Sequence, residues 1–266
     1  MKRYLTIILA AAALVALAGC SREPLSEEPG TQVLDAEIVS EAGTRTTYDG
    51  TTGAFAWEIG DEMALFQTKG DPATYKVQNV EIKTVSASTG KFVYSKETGW
   101  TRTGYAVYPK SLVTDASWNG TTLTVTLPTS YPASATTRLP LVADNGGGET
   151  SNLTFYPICG LLRIQCENIP SGVTSLTVTV AGGSNITGDH TVAFNSSIPS
   201  INAVVGTANT VTFSSVSGSS ATLNLPLPCG TYTGVTVSDG THTKSVTATF
   251  ASKRGYGKKL TVDFSE

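Results

Sequence analysis

The sequence predicts an all-β protein built from antiparallel β-sandwiches, and three observations support this fold class. Of the 266 residues, 41 are Thr and only 15% are charged, against about a quarter charged in an average protein. Thr is β-branched and fits a pleated strand better than a helix. Short segments of alternating polarity recur along the chain, and Gly, Asn, Asp or Pro separate them.

Five segments show this alternation most clearly, because each places apolar residues on one face and polar residues on the other. They are residues 122–127, 175–180, 221–225, 245–250 and 259–264. A period of two indicates one buried and one solvated face, as in the strands of a sandwich. Asp49-Gly50 and Asp239-Gly240 lie between such segments, and both dipeptides favour tight hairpin turns.

The first twenty residues have the order of a secretion signal. Lys2 and Arg3 precede an apolar run, residues 4–18, that is too short to span a bilayer. The run leads into Leu-Ala-Gly-Cys, which resembles the lipobox of bacterial lipoproteins, where the Cys becomes acylated. We expect residues 1–19 to be a signal peptide and Cys20 to carry the lipid that anchors the protein to a membrane. The alternative is a signal peptide that happens to end near a Cys.

Two domains are predicted after a short tether. Residues 20–31 contain three Glu and two Pro, a composition typical of a disordered linker. Three consecutive Gly within residues 144–149 favour a hinge, so we expect one sandwich over residues 32–146 and a second over 147–266. The alternative is that the Gly run is one long loop inside a single larger β fold.

Net charge and cysteine content narrow the possible partners. Removal of the signal peptide takes away two basic residues and changes the formal net charge from −3 to −5, so we predict no nucleic-acid partner.

Cys159 and Cys166 lie seven residues apart in one predicted strand and therefore point to opposite faces. A bridge from one of them to Cys229 and free buried thiols are both compatible with the sequence. C-x-x-C spacing is absent, so we predict no zinc site.

No catalytic constellation is recognisable, and no cofactor is predicted. His190 and His242 are the only histidines, neither lies in H-E-x-x-H, and both are predicted at the surface of polar strands. Asp61 and Glu62 are adjacent in a strand and point to opposite faces, so they cannot act as a pair on one glycosidic bond. We therefore predict a non-enzymatic protein, and an enzyme whose site the sequence does not reveal is kept as a third hypothesis.

Three tryptophans are candidates for contact with a ligand. Trp57 shares a strand face with Phe55 and is predicted to pack in the core. Trp100 and Trp118 stand beside Gly or Asn at predicted loop edges. We expect these two to be exposed and able to contact a glycan.

A series of short motifs, in order along residues 31–266, resembles the fimbrillin family, including its Mfa-like members. The motifs are Thr44-Arg-Thr-Thr-Tyr-Asp-Gly, Phe55-Ala-Trp-Glu-Ile-Gly-Asp-Glu-Met-Ala-Leu-Phe66, the aromatic strand end Tyr105–Pro109, the strand pair Leu153–Ile164 that opens the second domain, the turn Ile186–Gly188, and the closing hairpin signals Pro228–Tyr232 and Lys253–Gly255. Family members usually carry a His where this chain has Tyr156-Pro157, so that feature is absent.

The resemblance implies a surface lipoprotein of two transthyretin-like β-sandwiches that serves in type V pili. In this family an Arg-specific protease removes the first strand of the precursor, and a donor strand from another subunit fills the groove that opens. This chain offers Leu34, Ala36 and Ile38 as the apolar face of such a strand, and Arg45 follows as the candidate for processing. Alternatively, Arg45 is an ordinary surface residue of a permanent anchor protein.

The sequence leaves the donor strand and the exact role open. The last strand, residues 259–264, either plugs the groove of a neighbouring subunit or closes the sheet of its own chain. The principal hypothesis is a structural or accessory pilus subunit that binds other subunits by β-strand addition. The alternative is an outer-membrane lipoprotein that does not polymerise and binds a glycan or a host surface through Trp100 or Trp118.

Overall fold

The computed structural model describes residues 31–39, 56–86, 88–134, 136–146, 148–193, 198–206 and 208–265. It confirms the all-β prediction, since nineteen strands and two short 3₁₀ helices lie within these ranges. No helix in them is long and apolar enough to cross a bilayer. Cys20, Arg45 and the predicted Asp49-Gly50 turn lie outside the described residues.

The strands are numbered in chain order. They are β1 (Thr31–Ile38), β2 (Glu62–Lys69), β3 (Thr74–Ser86), β4 (Thr89–Ser95), β5 (Thr101–Tyr108), β6 (Leu123–Leu127), β7 (Ser130–Pro132), β8 (Leu141–Asp144), β9 (Asn152–Pro157), β10 (Cys159–Glu167), β11 (Leu176–Gly182), β12 (Gly188–Ala193), β13 (Ser200–Val204), β14 (Thr210–Ser214), β15 (Ala221–Pro228), β16 (Gly230–Ser238), β17 (Thr243–Val246), β18 (Phe250–Ser252) and β19 (Gly257–Asp263). The 3₁₀ helices are Lys110–Leu112 and Asp115–Ser117.

The N-terminal strands close into a barrel in the order β1-β4-β3-β2-β5-β8-β9. Neighbouring strands run antiparallel except β1 and β9, which close the barrel as a parallel pair. Parallel pairing also joins β10 to β19 and β14 to β7, so three strand pairs in these mainly antiparallel sheets are parallel. Alternation along one strand reports which face is buried and carries no information about a distant partner's direction.

The C-terminal strands form a sandwich. The sheet β15-β10-β19 packs against the sheet β17-β16-β11-β14-β7, and β18 adds to β16. Alternate residues of β10, including Leu162 and Ile164, share one core with Val178 of β11 and Phe213 of β14. The third sheet, β13-β12-β6, packs on the outer face of the barrel through Leu123 and Val125, which lie in one cluster with Phe66.

The interior of the barrel is centred on Trp57, as predicted for a core residue. Its side chain is 2% exposed. The rings of Phe92, Tyr108 and Phe155 meet the indole edge to face at centroid distances of 5.1, 5.2 and 5.3 Å. Edge-to-face packing is a favoured aromatic geometry and adds to the stabilisation from burial alone.

Strand pairing crosses the predicted domain boundary at residue 146. The strand β9 lies after that boundary and pairs with β8 and β1 of the barrel. The strands β6 and β7 lie before it and pair with β12 and β14. The Gly run therefore joins two neighbouring strands of one sheet, and the division into residues 32–146 and 147–266 stays a prediction.

Several local predictions can be compared with the observed strands. The Asp239-Gly240 hairpin is confirmed, because β16 and β17 pair up to Ser238 and Thr243. The predicted strand 245–250 is interrupted, since β17 ends at Val246 and β18 begins at Phe250. The segment 153–164 is not a strand pair, because β9 and β10 lie in different sheets.

The two predicted closing hairpins are connections between facing sheets. Residues 228–232 lead from β15 to β16, and 253–255 lead from β18 to β19. At the first of these corners the hydroxyl of Tyr232 donates a hydrogen bond of 2.9 Å to the carbonyl oxygen of Pro228. This bond holds the chain as it crosses from one sheet to the other.

Candidate functional site: the first strand and its groove

The first strand is paired with a neighbouring strand of the barrel on each side. Seven residues of β1, from Thr31 to Glu37, pair with β4, and four residues pair with β9 on the other side. The end of the strand is held as well, because the N–H of Ile38 donates to the oxygen of Ser88 at 3.0 Å and that of Val39 to Phe155 at 2.9 Å. Both backbone edges of β1 are therefore in use.

The side chains of β1 alternate as predicted. Leu34, Ala36 and Ile38 are buried, while Asp35 and Glu37 are exposed. Complete burial of a Leu or Ile side chain stabilises a fold by about 1.5–3 kcal/mol. The exposed ion pair between Asp35 and Lys91, at 2.8 Å, adds at most about 1 kcal/mol. The burial of its apolar side chains and its backbone hydrogen bonds therefore contribute most to holding β1 in the barrel.

Removal of β1 would leave a defined groove. Its two walls would be the unpaired edges of β4 and β9, and its floor would be barrel side chains that now share a cluster with Leu34, among them Met63, Phe92 and Phe155. Unpaired strand edges and a vacant apolar face together attract another strand. The arrangement can thus accept a strand from a partner, provided that β1 is first released.

The last strand closes its own sheet in this structure. All seven residues of β19 pair in parallel with β10, from Gly257 opposite Leu161 to Asp263 opposite Glu167. Val262 and the following Phe264 are buried in the C-terminal core. Two roles were considered for residues 259–264. The structure shows the strand closing the sheet of its own chain and not filling the groove of a neighbouring subunit.

The two candidate tryptophans have different environments. The expectation that Trp118 is exposed is wrong, because its side chain is 5% exposed and its ring centroid lies 4.9 Å from that of Tyr105 and 6.0 Å from that of Tyr75. Its loop-like neighbours in the sequence did not reveal that the indole turns inward. Trp100 is partly exposed, and the Nζ atoms of Lys76 and Lys69 lie 4.4 and 5.8 Å from its ring centroid. Trp100 therefore keeps a surface that a ligand can reach.

Asp61, which was considered from the sequence only as a possible catalytic carboxylate beside Glu62, is a buried carboxyl group near the end of β5. Oδ1 of Asp61 accepts a hydrogen bond of 2.6 Å from the hydroxyl of Tyr108, and Oδ2 accepts one of 2.9 Å from the N–H of Glu58. Nη2 of Arg138 lies 3.3 Å from Oδ1. Burial raises the pKa of Asp61, and the hydrogen bonds and the guanidinium oppose that shift. Because these partners satisfy the carboxylate, we interpret it as structural.

The histidines do not form a catalytic centre with one another. The prediction that His190 lies at the surface is wrong, because it is fully buried with Nδ1 2.8 Å from the oxygen of Gly188 and Nε2 3.1 Å from that of Asn185. His242 is exposed, and its Nδ1 lies 2.9 Å from Oδ2 of Asp239. Among the described residues no group of three His, Cys, Asp or Glu side chains is placed to hold a metal ion.

The three cysteines of the described chain are free thiols. Cys159 lies in the cluster between the barrel and the third sheet, whereas Cys166 lies in the core of the C-terminal sandwich. This confirms that the two point to opposite faces of β10. Burial raises the pKa of Cys166 to about 12, so its thiol is protonated and unreactive at neutral pH. Cys229 is exposed.

No family model and no curated protein matches the chain. Among solved structures, a "putative cell adhesion protein" from Bacteroides uniformis shares 16% identity with a TM-score of 0.48, over 90% of this chain and 94% of that one. A fimbrial assembly protein from Parabacteroides distasonis shares 12% identity with a TM-score of 0.39, over 87% and 90% of the two chains. A fimbrial protein from Bacteroides ovatus shares 13% identity with a TM-score of 0.35, over 88% of this chain and 48% of its own.

Proposed function

We propose that the protein is a structural or accessory subunit of a type V pilus. In this proposal it is exported, anchored to the outer membrane through Cys20, and later released by cleavage after Arg45. The observation that carries the proposal is the placement of β1. It is a complete strand held between β4 and β9, and the segment with Arg45 follows it in the sequence. The order of motifs that resembles the fimbrillin family also supports the proposal.

Assembly by donor-strand exchange follows from this geometry. Cleavage after Arg45 separates the lipid anchor and β1 from the rest of the chain in one step. The released protein then lacks the partner for β4 and β9, and the apolar residues that packed on Leu34 face water. A strand with alternating apolar residues from another subunit restores both the hydrogen bonds and the burial. The lipid tether and the missing strand thus couple release from the membrane to polymerisation.

Digestion of purified precursor with an Arg-specific protease tests the proposal. We expect the peptide that contains β1 to leave the barrel, as detected by mass spectrometry after gel filtration, and fibres to appear by electron microscopy. Arg45→Lys is the matched control, because it keeps the positive charge and removes the cleavage site. If the wild-type protein is cut after Arg45 and yet keeps β1 and stays monomeric, the polymerising role is wrong.

The second candidate function is a binding lipoprotein at the cell surface that does not polymerise. The partly exposed Trp100, with two lysine side chains beside its ring, favours this alternative. An aromatic face flanked by cations suits a ligand that combines apolar and anionic groups. The N-terminus of the protein recovered from cells separates the two functions. A chain that starts at Thr46 supports assembly, whereas an acylated Cys20 supports a permanent anchor.

A further inference from the structure

One end of the barrel is lined by a polar layer, which we define as Gln32, Gln67, Gln78, Tyr94 and Arg102. These residues lie at the start of β1, the end of β2, the start of β3, the end of β4 and the start of β5, so they meet at the same end. The hydroxyl of Tyr94 donates to Oε1 of Gln32. Nε2 of Gln67 donates to Oε1 of Gln78 at 2.6 Å. Apart from the Tyr108–Asp61 pair, most of the other side chains in the barrel core are apolar.

Arg102 is the charged member of the polar layer, and its charge is not matched. The residue is 7% exposed, and its Nε and Nη1 atoms are shielded from solvent without a hydrogen-bond partner. Its guanidinium carbon lies 5.3 Å from the ring centroid of Tyr94. Within the described residues no carboxylate is within ion-pair distance of it.

An unpaired buried cation of this kind is costly. Removal of a guanidinium from water is unfavourable unless an anion or several acceptors replace the lost hydration. The nearest neutral acceptor by strand register is Gln67, which pairs with Arg102 across β2 and β5 and whose Oε1 also lacks a partner. Two donors and one acceptor therefore stand unsatisfied in one layer. A ligand with a carboxylate would pair with the forked guanidinium and leave no buried charge unpaired.

The rim above the polar layer is rich in charged side chains. It carries Lys69, Lys76 and Lys96, of which Lys76 pairs with Glu97, and Lys96 lies 3.8 Å from Glu149. Burial raises the pKa of the Tyr94 hydroxyl, whereas the charge of the Arg102 guanidinium and its hydrogen bond to Tyr94 oppose that rise. The turn between β2 and β3 adds Asp71, so three lysines and three carboxylates lie on the rim, in a chain whose formal net charge is −3. The charge of Arg102 therefore leaves this end of the barrel with one cation in excess, which favours an anion.

We propose that this end of the barrel binds an acidic sugar residue, with Arg102 holding its carboxylate and Trp100 packing on the ring of the sugar. Trp100 lies two residues before Arg102 and keeps a partly exposed face among the rim lysines. Because Nε and Nη1 of Arg102 are shielded from solvent, binding of the acid requires the long side chains of the rim to move aside. The inference deepens the binding alternative described above and does not depend on cleavage at Arg45.

Calorimetric titration of the uncleaved protein tests the inference, with glucuronic acid and N-acetylneuraminic acid as probes and glucose and acetate as controls. We expect at least one acidic sugar to bind, glucose not to bind, and acetate to bind more weakly. Arg102→Met should weaken binding of the acidic sugar about 10- to 100-fold, which is the range expected for charge-assisted hydrogen bonds. Trp100→Ala should weaken binding of the acidic sugar several-fold and leave binding of acetate unchanged. Arg254→Met, in the C-terminal part of the chain, is the matched control and should have no effect.

Two substitutions at Arg102 separate a loss of binding from a loss of folding. Arg102→Met removes an unpaired buried charge and should be as stable as the wild type without ligand. Arg102→Lys keeps the charge and loses the fork, so it should bind the acid more weakly than the wild type. The inference is overturned if neither acidic sugar binds, if Arg102→Met binds as well as the wild type, or if glucose binds equally well. Fibre formation is a separate readout, so failure here leaves the assembly proposal untouched.

Discussion

At the scale of single residues, the hydrogen bond between Tyr108 and Asp61 makes a prediction with a pH dependence. Loss of a bond of 2.6 Å to a buried carboxylate should cost about 1.5–3 kcal/mol. Burial already raises the folded-state pKa of Asp61, and the Tyr108 bond limits the rise. Tyr108→Phe therefore raises the folded-state pKa further. Because a folded-state pKa above the unfolded value lowers stability as the pH rises, the variant should lose more at pH 7 than at pH 5.

Urea unfolding of both proteins at the two pH values measures this difference. Tyr232→Phe is a matched control, because its buried hydroxyl donates to a neutral backbone oxygen, that of Pro228. That variant should lose about 1 kcal/mol at either pH. Equal losses for Tyr108→Phe at pH 5 and pH 7 would mean that the Asp61 carboxylate does not titrate as we describe.

The Asp239-Gly240 turn makes a second prediction at this scale. Oδ1 of Asp239 accepts hydrogen bonds from the N–H groups of Thr241 and His242 at 2.8 and 2.6 Å, and Gly240 has a φ of +97°. Since a side chain is strained at this φ, Gly240→Ala should cost about 1–3 kcal/mol. Gly148→Ala is the control, because Gly148 has no left-handed φ and open space around its Cα. Thermal unfolding should show a lower Tm for the first variant and no loss for the second.

At the scale of elements, the sequence predicted which face of a strand is buried better than it predicted strand partners. The alternation in β6 and in β11 matches the observed burial, because period two depends on the strand itself. The parallel pairing of β1 with β9 joins residues more than a hundred positions apart, and no local pattern encodes it. Polarity was misleading for His190, whose ring is buried among backbone oxygens.

One part of the candidate site could be predicted from the sequence, and another part could not. The apolar face of β1 could be identified from Leu34, Ala36 and Ile38, and burial confirms it. The polar layer around Arg102 could not be identified, because its members are scattered over five strands and meet only when the barrel closes. Trp118 was misjudged because Gly and Asn beside it indicate a loop but not the direction of its side chain.

The contribution of β1 to the barrel can be measured with one pair of variants. Leu34→Ala removes a fully buried side chain from the barrel core, and we expect a loss of about 2–5 kcal/mol in the free energy of unfolding. Asp35→Ala removes a partner from an exposed ion pair one position away and should cost at most about 1 kcal/mol. Chemical denaturation compares the two. A loss in Leu34→Ala no larger than in Asp35→Ala would show that β1 is not integral to the barrel, and the proposed groove would lose its basis.

At the scale of the whole molecule, three apolar clusters follow one another through the described chain. One fills the barrel, one lies between the barrel and the third sheet, and one fills the C-terminal sandwich. The middle cluster combines Phe66 of the barrel with Leu123 of β6 and Leu161 of β10. It therefore takes side chains from both sides of residue 146, which predicts that the two sides stabilise each other.

Expression of the two halves tests whether each half of the chain folds by itself. A fragment of residues 31–146 lacks β9, so β1 and β8 lose a partner, and β6 loses β12. We expect it to show no cooperative thermal transition, and we expect residues 147–266 to melt at a lower temperature than the intact chain. A protease site inserted at the Gly run is the control, because the cut chain keeps every strand and should retain the Tm of the intact protein. Cooperative unfolding of the isolated 31–146 fragment would instead support two independent domains that meet at residue 146. That outcome would also mean that the barrel folds without β9. One of the two walls of the proposed groove, the edge of β9, would then not be required.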